Sequence, residues 1–339
     1  MTTIHAAVLH KLSKDAHKPA TVQTRDAELE LTPTVQSLVD QINDLYGNRA
    51  SKGYGRFEDD ELTYPTAPVL RDMFKDRKTS FVDGTKQLMK VLAGKAMQAS
   101  ASKGGYVLMV HGRSKTGDDW LLVAIINNVA STAVNEKTLE IEEAVHIDLE
   151  NVRVAGRVNL SAWLSGDPHT RYVGFLKARG DVAEYFMYFL GCRLVVKDTE
   201  DTKRLVTGLK DFAHSEGLDQ QATDEFLRRA HGYCIERSKA REPVSLEELT
   251  NFAWPAEPKK LQQALASDEI ELSDGFVPDS GSLRKLLKFH GKTPFWTVAL
   301  DRRALSKGHA EYIAERGELV LRNLPDALKA ELQAEMNDD

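Results

Sequence analysis

Two groups of cations are the side chains here whose type and spacing could do chemistry. The first opens the stretch Thr170 to Cys192, TRYVGFLKARGDVAEYFMYFLGC, where Arg171, Lys177 and Arg179 precede a strongly apolar helical pattern. Cations beside a helix N-terminus, where orphan amides and the dipole already favour negative charge, would hold an anion such as a phosphate. The same charges could instead pair locally with Asp181 and Glu184, which read as the helix start. The second group lies between Arg284 and Lys307, where Arg284, Lys285, Lys288, Lys292, Arg302, Arg303 and Lys307 face a single acid, Asp301, with His290 among them. A segment edged with lysines and arginines that have no fixed partner in the groove is expected to contact phosphates rather than read bases.

Other chemistries find little support. The chain has no G-x-x-x-x-G-K-[ST] loop, no H-E-x-x-H and no G-x-S-x-G. SKGYGRF, from Ser51 to Phe57, reads as a Gly-rich basic loop, but lacks the spacing of a phosphate-binding fingerprint. Cys192 and Cys234 have no Cys or His neighbour at ligand spacing, so they read as buried small hydrophobes without a disulfide or zinc role. The ten histidines are scattered. These observations lead to the expectation of a non-enzyme with no catalytic residues, cofactor or metal.

The elements that position the cations follow from composition and periodicity. At 339 residues the chain exceeds what one core usually serves, and its net charge is −6, so any polyanion site requires local segregation of charge. Acids do cluster, at Glu58, Asp59, Asp60 and Glu61 and again at Asp268, Glu269, Glu271, Asp274 and Asp279. No run of apolar residues is long enough for a membrane span and the N-terminus does not read as a signal peptide, which predicts a cytoplasmic location without membrane contact.

Ile4–Leu12 and Thr21–Arg25 read as strands, and Thr32-Pro33 starts a helix carrying Val35, Leu38, Val39 and Ile42 on one face. Phe81–Gln98 predicts a second helix. Tyr106–His111 and Trp120–Val129 predict a hairpin whose second strand, LLVAII, is apolar on both faces and so central to a covered sheet. Two alternating strands follow, with His146, Asp148 and Glu150 expected to pair across to Arg153 and Arg157. Val182, Tyr185, Phe186, Phe189 and Leu190 mark a buried helical face, and Thr199–Ser215 and Asp219–Lys239 continue as helices. Beyond the prolines of Trp254–Pro258, a short helix with Leu283, Leu286 and Leu287 inward leaves Arg284, Lys285 and Lys288 outward, ending at Gly291–Pro294. Strands Phe295–Leu300 and Glu318–Arg322 and a terminal amphipathic helix follow. The reading is α+β: a mainly antiparallel sheet domain with helices over 1–165, a helical domain over 166–257, and a small strand-and-helix domain over 258–339.

TRYVGFLKARG with VAEYFMYFLG resembles the central signature of the bacterial 37 kDa nucleoid-associated proteins, the NdpA or YejK type. SKGYGRF, LLVAIINNV (121–129), VNE (134–136), HIDL (146–149) and SLRKLLKFHG (282–291) match in the same order, so the resemblance covers nearly the whole chain. It implies a nucleoid location, binding of double-stranded DNA, and a type II topoisomerase as partner. The leading expectation is therefore low-specificity duplex binding through Arg171, Lys177, Arg179, Arg284, Lys285, Lys288, Lys292, Arg302 and Arg303, by a homodimer, a state expected from the prevalence of two-fold assemblies. The alternatives are a protein-interaction module whose acidic blocks meet a basic partner, and a nucleic-acid hydrolase.

Overall fold

The computed structural model describes residues 3–99, 102–152, 154–168, 170–177, 181–267 and 269–337. It forms two units: Met1–Lys197 with Ser245–Glu247 and Gln262–Gly275, and Asp198–Val244 with Glu248–Leu261 and Phe276–Asp339. Arg153, Arg179 and Asp268, all invoked above, lie outside the described residues.

In the first unit the strands are β1 (Thr3–Ser13), β2 (Thr21–Gln23), β3 (Lys52–Phe57), β4 (Gly105–Arg113), β5 (Asp119–Ile126), β6 (Asn128–Val134), β7 (Ile141–Ile147), β8 (Val154–Asn159), β9 (Val173–Leu176) and β10 (Cys192–Leu194). The helices are α1 (Pro33–Asn48), α2 (Thr66–Leu70), α3 (Phe81–Gln98), α4 (Leu160–Ser165) and α5 (Asp181–Leu190). Eight strands form one sheet in the order β10-β3-β9-β8-β5-β4-β1-β2, antiparallel at each pairing.

The alternation of β5 explains why it sits mid-sheet. Leu121, Val123 and Ile125 enter a core with Leu88 and Leu92 of α3 and Phe186 and Phe189 of α5. Trp120, Leu122, Ala124 and Ile126 enter the opposite core with Val39, Ile42 and Tyr46 of α1. Successive side chains of a strand point to opposite faces, so a strand apolar throughout must be covered twice. The α1 helix starts as its sequence predicts, with the Thr32 hydroxyl accepting from the Val35 amide at 3.4 Å and Pro33 at the first helical position.

Two expectations for this unit are corrected. SKGYGRF is not a loop, because Lys52–Phe57 is strand β3 between β9 and β10. Gly55 is needed there because a Cβ would collide with the Arg193 carbonyl of β10. The charged residues around His146 do not pair with the strand that follows them. Strand β7 pairs with β6 as a separate two-stranded ribbon, while β8 joins β5 and β9 and Arg157 stacks 4.7 Å over the Trp120 ring.

The later elements are α6 (Asp198–Ser215), α7 (Gln220–Ala240), α8 (Leu246–Ala253), α9 (Pro258–Leu265), α10 (Ser280–Leu287), β11 (Lys288–Lys292), β12 (Thr297–Asp301), α11 (Arg303–Ser306), β13 (Ala310–Ile313), β14 (Glu318–Leu321) and α12 (Asp326–Asn337). The second unit is helical at its centre. Leu205, Leu209 and Phe212 of α6 and Phe226, Leu227 and Ala230 of α7 are buried, and the Trp254 ring meets Phe212 and Phe226 edge-on at 5.7 and 5.5 Å. Strands β11 and β12 form one hairpin, β13 and β14 another. The helix expected to run to Gly291 stops at Leu287, where the chain turns extended at Lys288 and pairs with β12. No helix among the described residues is long and apolar enough to cross a membrane.

Candidate nucleic-acid interface

The expected cations separate into two kinds. Arg171 precedes β9, with only 2 % of its surface exposed, and its Nη1 donates to the Ser273 hydroxyl at 3.2 Å and the Glu271 carbonyl at 3.4 Å. Lys177 follows β9 and donates from Nζ to the Asp274 carbonyl at 2.6 Å. These two bind the segment Gln262–Gly275 to the sheet of the same unit. A guanidinium enclosed in this way does not meet a phosphate at the surface, so Arg171 belongs to the scaffold. Buried Lys52 acts similarly, donating to the carbonyls of Gly47 at 3.1 Å and Ala266 at 2.8 Å.

Arg302 and Arg303 also have protein partners. Arg302 donates from Nε to Asp224 at 3.1 Å and lies 4.6 Å over the Phe289 ring, while Arg303 forks onto both oxygens of Asp301 at 3.0 and 3.1 Å. The Arg303 hydrogen bond holds the Asp301 carboxyl below its ordinary pKa. On α7, Arg229 pairs with Glu225 and Arg237 with Glu242 and Glu248.

Arg284, Lys285, Lys288 and Lys292 are different. All four are exposed, and no described carboxylate lies within ion-pair distance of any of them. Asp279 starts their helix, its Oδ2 accepting from the Ser282 amide at 2.6 Å. Leu283 and Leu286 turn inward, so the intervening Arg284 and Lys285 turn outward. Along β11 the period of two takes over. Lys288, His290 and Lys292 share one face of the hairpin, opposite Asp301, Ala299 and Thr297, while Phe289 and Leu300 share the other. Helix and strand therefore present one run of cations across a change in secondary structure.

Lys210 of α6 joins this patch and was not singled out in the sequence. Burial and the nearby charges of Arg302 and Lys285 push its pKa down. Burial is the larger cause, and the two cations that add to it place Lys210 beside Lys285 and Arg302. Its signal in the sequence was only one polar position on an amphipathic helix.

The acidic blocks are largely engaged. Asp59 pairs with Arg193 at 2.5 Å, Glu61 with Arg71, and Asp60 accepts from the amides of Leu62 and Thr63 at 3.2 Å. Asp274 accepts from the Ser51 hydroxyl at 3.1 Å and the Leu246 amide at 2.9 Å. A cleft of about 470 Å³ in the sheet unit carries both charge signs on its walls, with Lys115, Arg157, Glu269 and Glu271 near Trp120, and so lacks the single sign that selects an anion. Cys192 and Cys234 are buried thiols raised to about 12, and no described group of three or more His, Cys, Asp or Glu could hold a metal ion.

The family model described as nucleoid-associated protein YejK matches residues 8–329. The chain belongs to that family. Among its relatives, a nucleoid-associated protein of Metapseudomonas resinovorans is 27% identical over 333 residues, covering 97% of this chain and 99% of the relative. Another, from Azotobacter vinelandii, is 26% identical over 333 residues, covering 97% and 98%. Membership in this nucleoid-associated family assigns the chain a nucleoid-associated role, and the resemblance read from TRYVGFLKARG and its companion blocks is borne out.

Proposed function

We propose that the protein binds duplex DNA with low sequence specificity through Arg284, Lys285, Lys288 and Lys292 on α10 and β11, with Lys210 adding to the local field. The observation that carries this reading is that these four exposed cations lie within one short run and have no described carboxylate partner, although the chain as a whole is anionic. Lys288 and Lys292 are separated by about 13 Å along an extended strand, far enough to neutralise different phosphates. The test is competition among duplexes of unrelated sequence, repeated with R284E/K285E/K288E/K292E. Equal competition and loss of binding by the variant are expected; undiminished binding by the variant removes this patch from the mechanism.

Two further parts of the reading each have their own support. A homodimer is supported by the exposed stripe of Leu328, Leu332 and Met336 along α12, together with an apolar cleft of about 870 Å³ between the β11–β12 and β13–β14 hairpins. Leu332→Asp should then lower the mass seen by sedimentation. A protein partner, for which a type II topoisomerase is the family-based candidate, is supported by the β6–β7 ribbon. That ribbon exposes Val134, Ile141 and Val145 beside Glu140, Glu142 and Glu143, a combination that phosphates would repel and a basic protein surface would attract.

A further inference from the structure

The tip of the β11–β12 hairpin has features that charge neutralisation does not use. The strands pair up to Lys292 and Thr297, leaving Thr293, Pro294, Phe295 and Trp296 as the turn. The Thr293 amide donates to the Trp296 carbonyl at 2.9 Å, and the Thr293 hydroxyl accepts from the amides of Phe295 and Trp296, both at 3.2 Å. This is a turn fixed by three hydrogen bonds. The Trp296 ring folds back over Gly291, where a Cβ would approach its edge at 3.2 Å, and anchors the turn to the strand. Phe295 is 93 % exposed.

An exposed phenyl ring on a rigid turn is costly to leave in water. Its surroundings identify what would receive it. Lys288, His290 and Lys292 lie along one face of the shaft below it, and Arg284 and Lys285 stand at the base. Cations that draw in the phosphate backbone would deliver the tip to a groove, where an apolar side chain can enter between two base pairs and open the step. We propose that Phe295 is an intercalating wedge, so that the protein kinks the duplex it binds toward the major groove.

This inference rests on the proposed duplex binding and adds to it a mode, deformation at a point, that neutralisation alone does not produce. The site prefers pyrimidine–purine steps, which unstack most readily, and so marks weak step preference without base readout.

The test uses the full-length chain and a duplex of about 30 base pairs carrying donor and acceptor dyes at its ends and 2-aminopurine at a central TA step. Wild type should shorten the end-to-end distance and raise 2-aminopurine fluorescence. Phe295→Ala, which removes an almost fully exposed ring, should bind with the same salt dependence but leave the duplex straight and the probe quenched. Phe295→Leu, still an apolar wedge, should restore both signals. A Phe295→Ala protein that bends DNA as wild type does, or a wild type that binds without bending, overturns the wedge and leaves phosphate binding standing. Failure of wild type to bind the duplex overturns both.

Discussion

Arg302 reaches Asp224 at 3.1 Å from a position where both side chains are largely enclosed, 18% and 7% exposed. The most conspicuous arginine pair in the cationic C-terminal stretch is thus divided between a buried ion pair and, at Arg303, a surface one. Removing one member of a buried pair strands the other charge, so Arg302→Ala should destabilise the second unit by roughly 3 kcal/mol. Urea unfolding should detect this, while DNA affinity of the folded variant changes little compared with that of Lys288→Ala.

His10 offers a pH test in the sheet unit. Its Nδ1 accepts from the Arg25 amide at 3.2 Å, which fixes the proton on Nε2, and Nε2 donates to the Thr85 hydroxyl at 3.0 Å. Burial, with Lys86 and Arg25 nearby, lowers the pKa to about 4 from 6.5. The unfolded chain binds this proton first, so the stability contributed by neutral His10 is complete above pH 6.5 and is lost as pH falls toward 4. Chemical denaturation across that window should show a loss of a few kcal/mol, and His10→Gln, which cannot titrate, should flatten it.

Two glycines should respond in opposite directions to alanine. A methyl at Gly55 meets the β10 backbone, which cannot yield without breaking the β3–β10 pairing, so Gly55→Ala should destabilise by about 2 kcal/mol or more. At Gly47, in the last turn of α1, nothing lies within 4 Å of the new Cβ, and Gly47→Ala should stabilise by about 0.5 kcal/mol. Thermal melts of the two variants should move apart.

Much of the fold was legible because it rests on local patterns. The doubled apolar register of LLVAII, the Thr32-Pro33 helix start and the buried face of Tyr185, Phe186 and Phe189 all appear in the structure as read. What failed depended on neighbours distant in sequence. Nothing near SKGYGRF announces that β9 and β10 will flank it, and a lone Gly-x-Gly reads as a turn until a strand is seen to pass too close for a Cβ. Arg171 and Arg302 look like surface cations in sequence because their partners, Ser273 and Asp224, lie far along the chain. Arg284 and Lys285 were readable because Leu283 and Leu286 beside them fix which way they face, whereas Lys288, read as part of the same helix, is exposed on strand β11 instead.

The salt dependence of duplex binding tests the central claim most directly. Fluorescence anisotropy of a labelled duplex, titrated with wild type and with R284Q/K285Q/K288Q/K292Q across a range of salt, gives the slope of log K against log salt for each. If all four cations neutralise phosphates, the variant's slope should be shallower by about 3.6. Equal slopes and equal affinities for the two proteins would contradict the account.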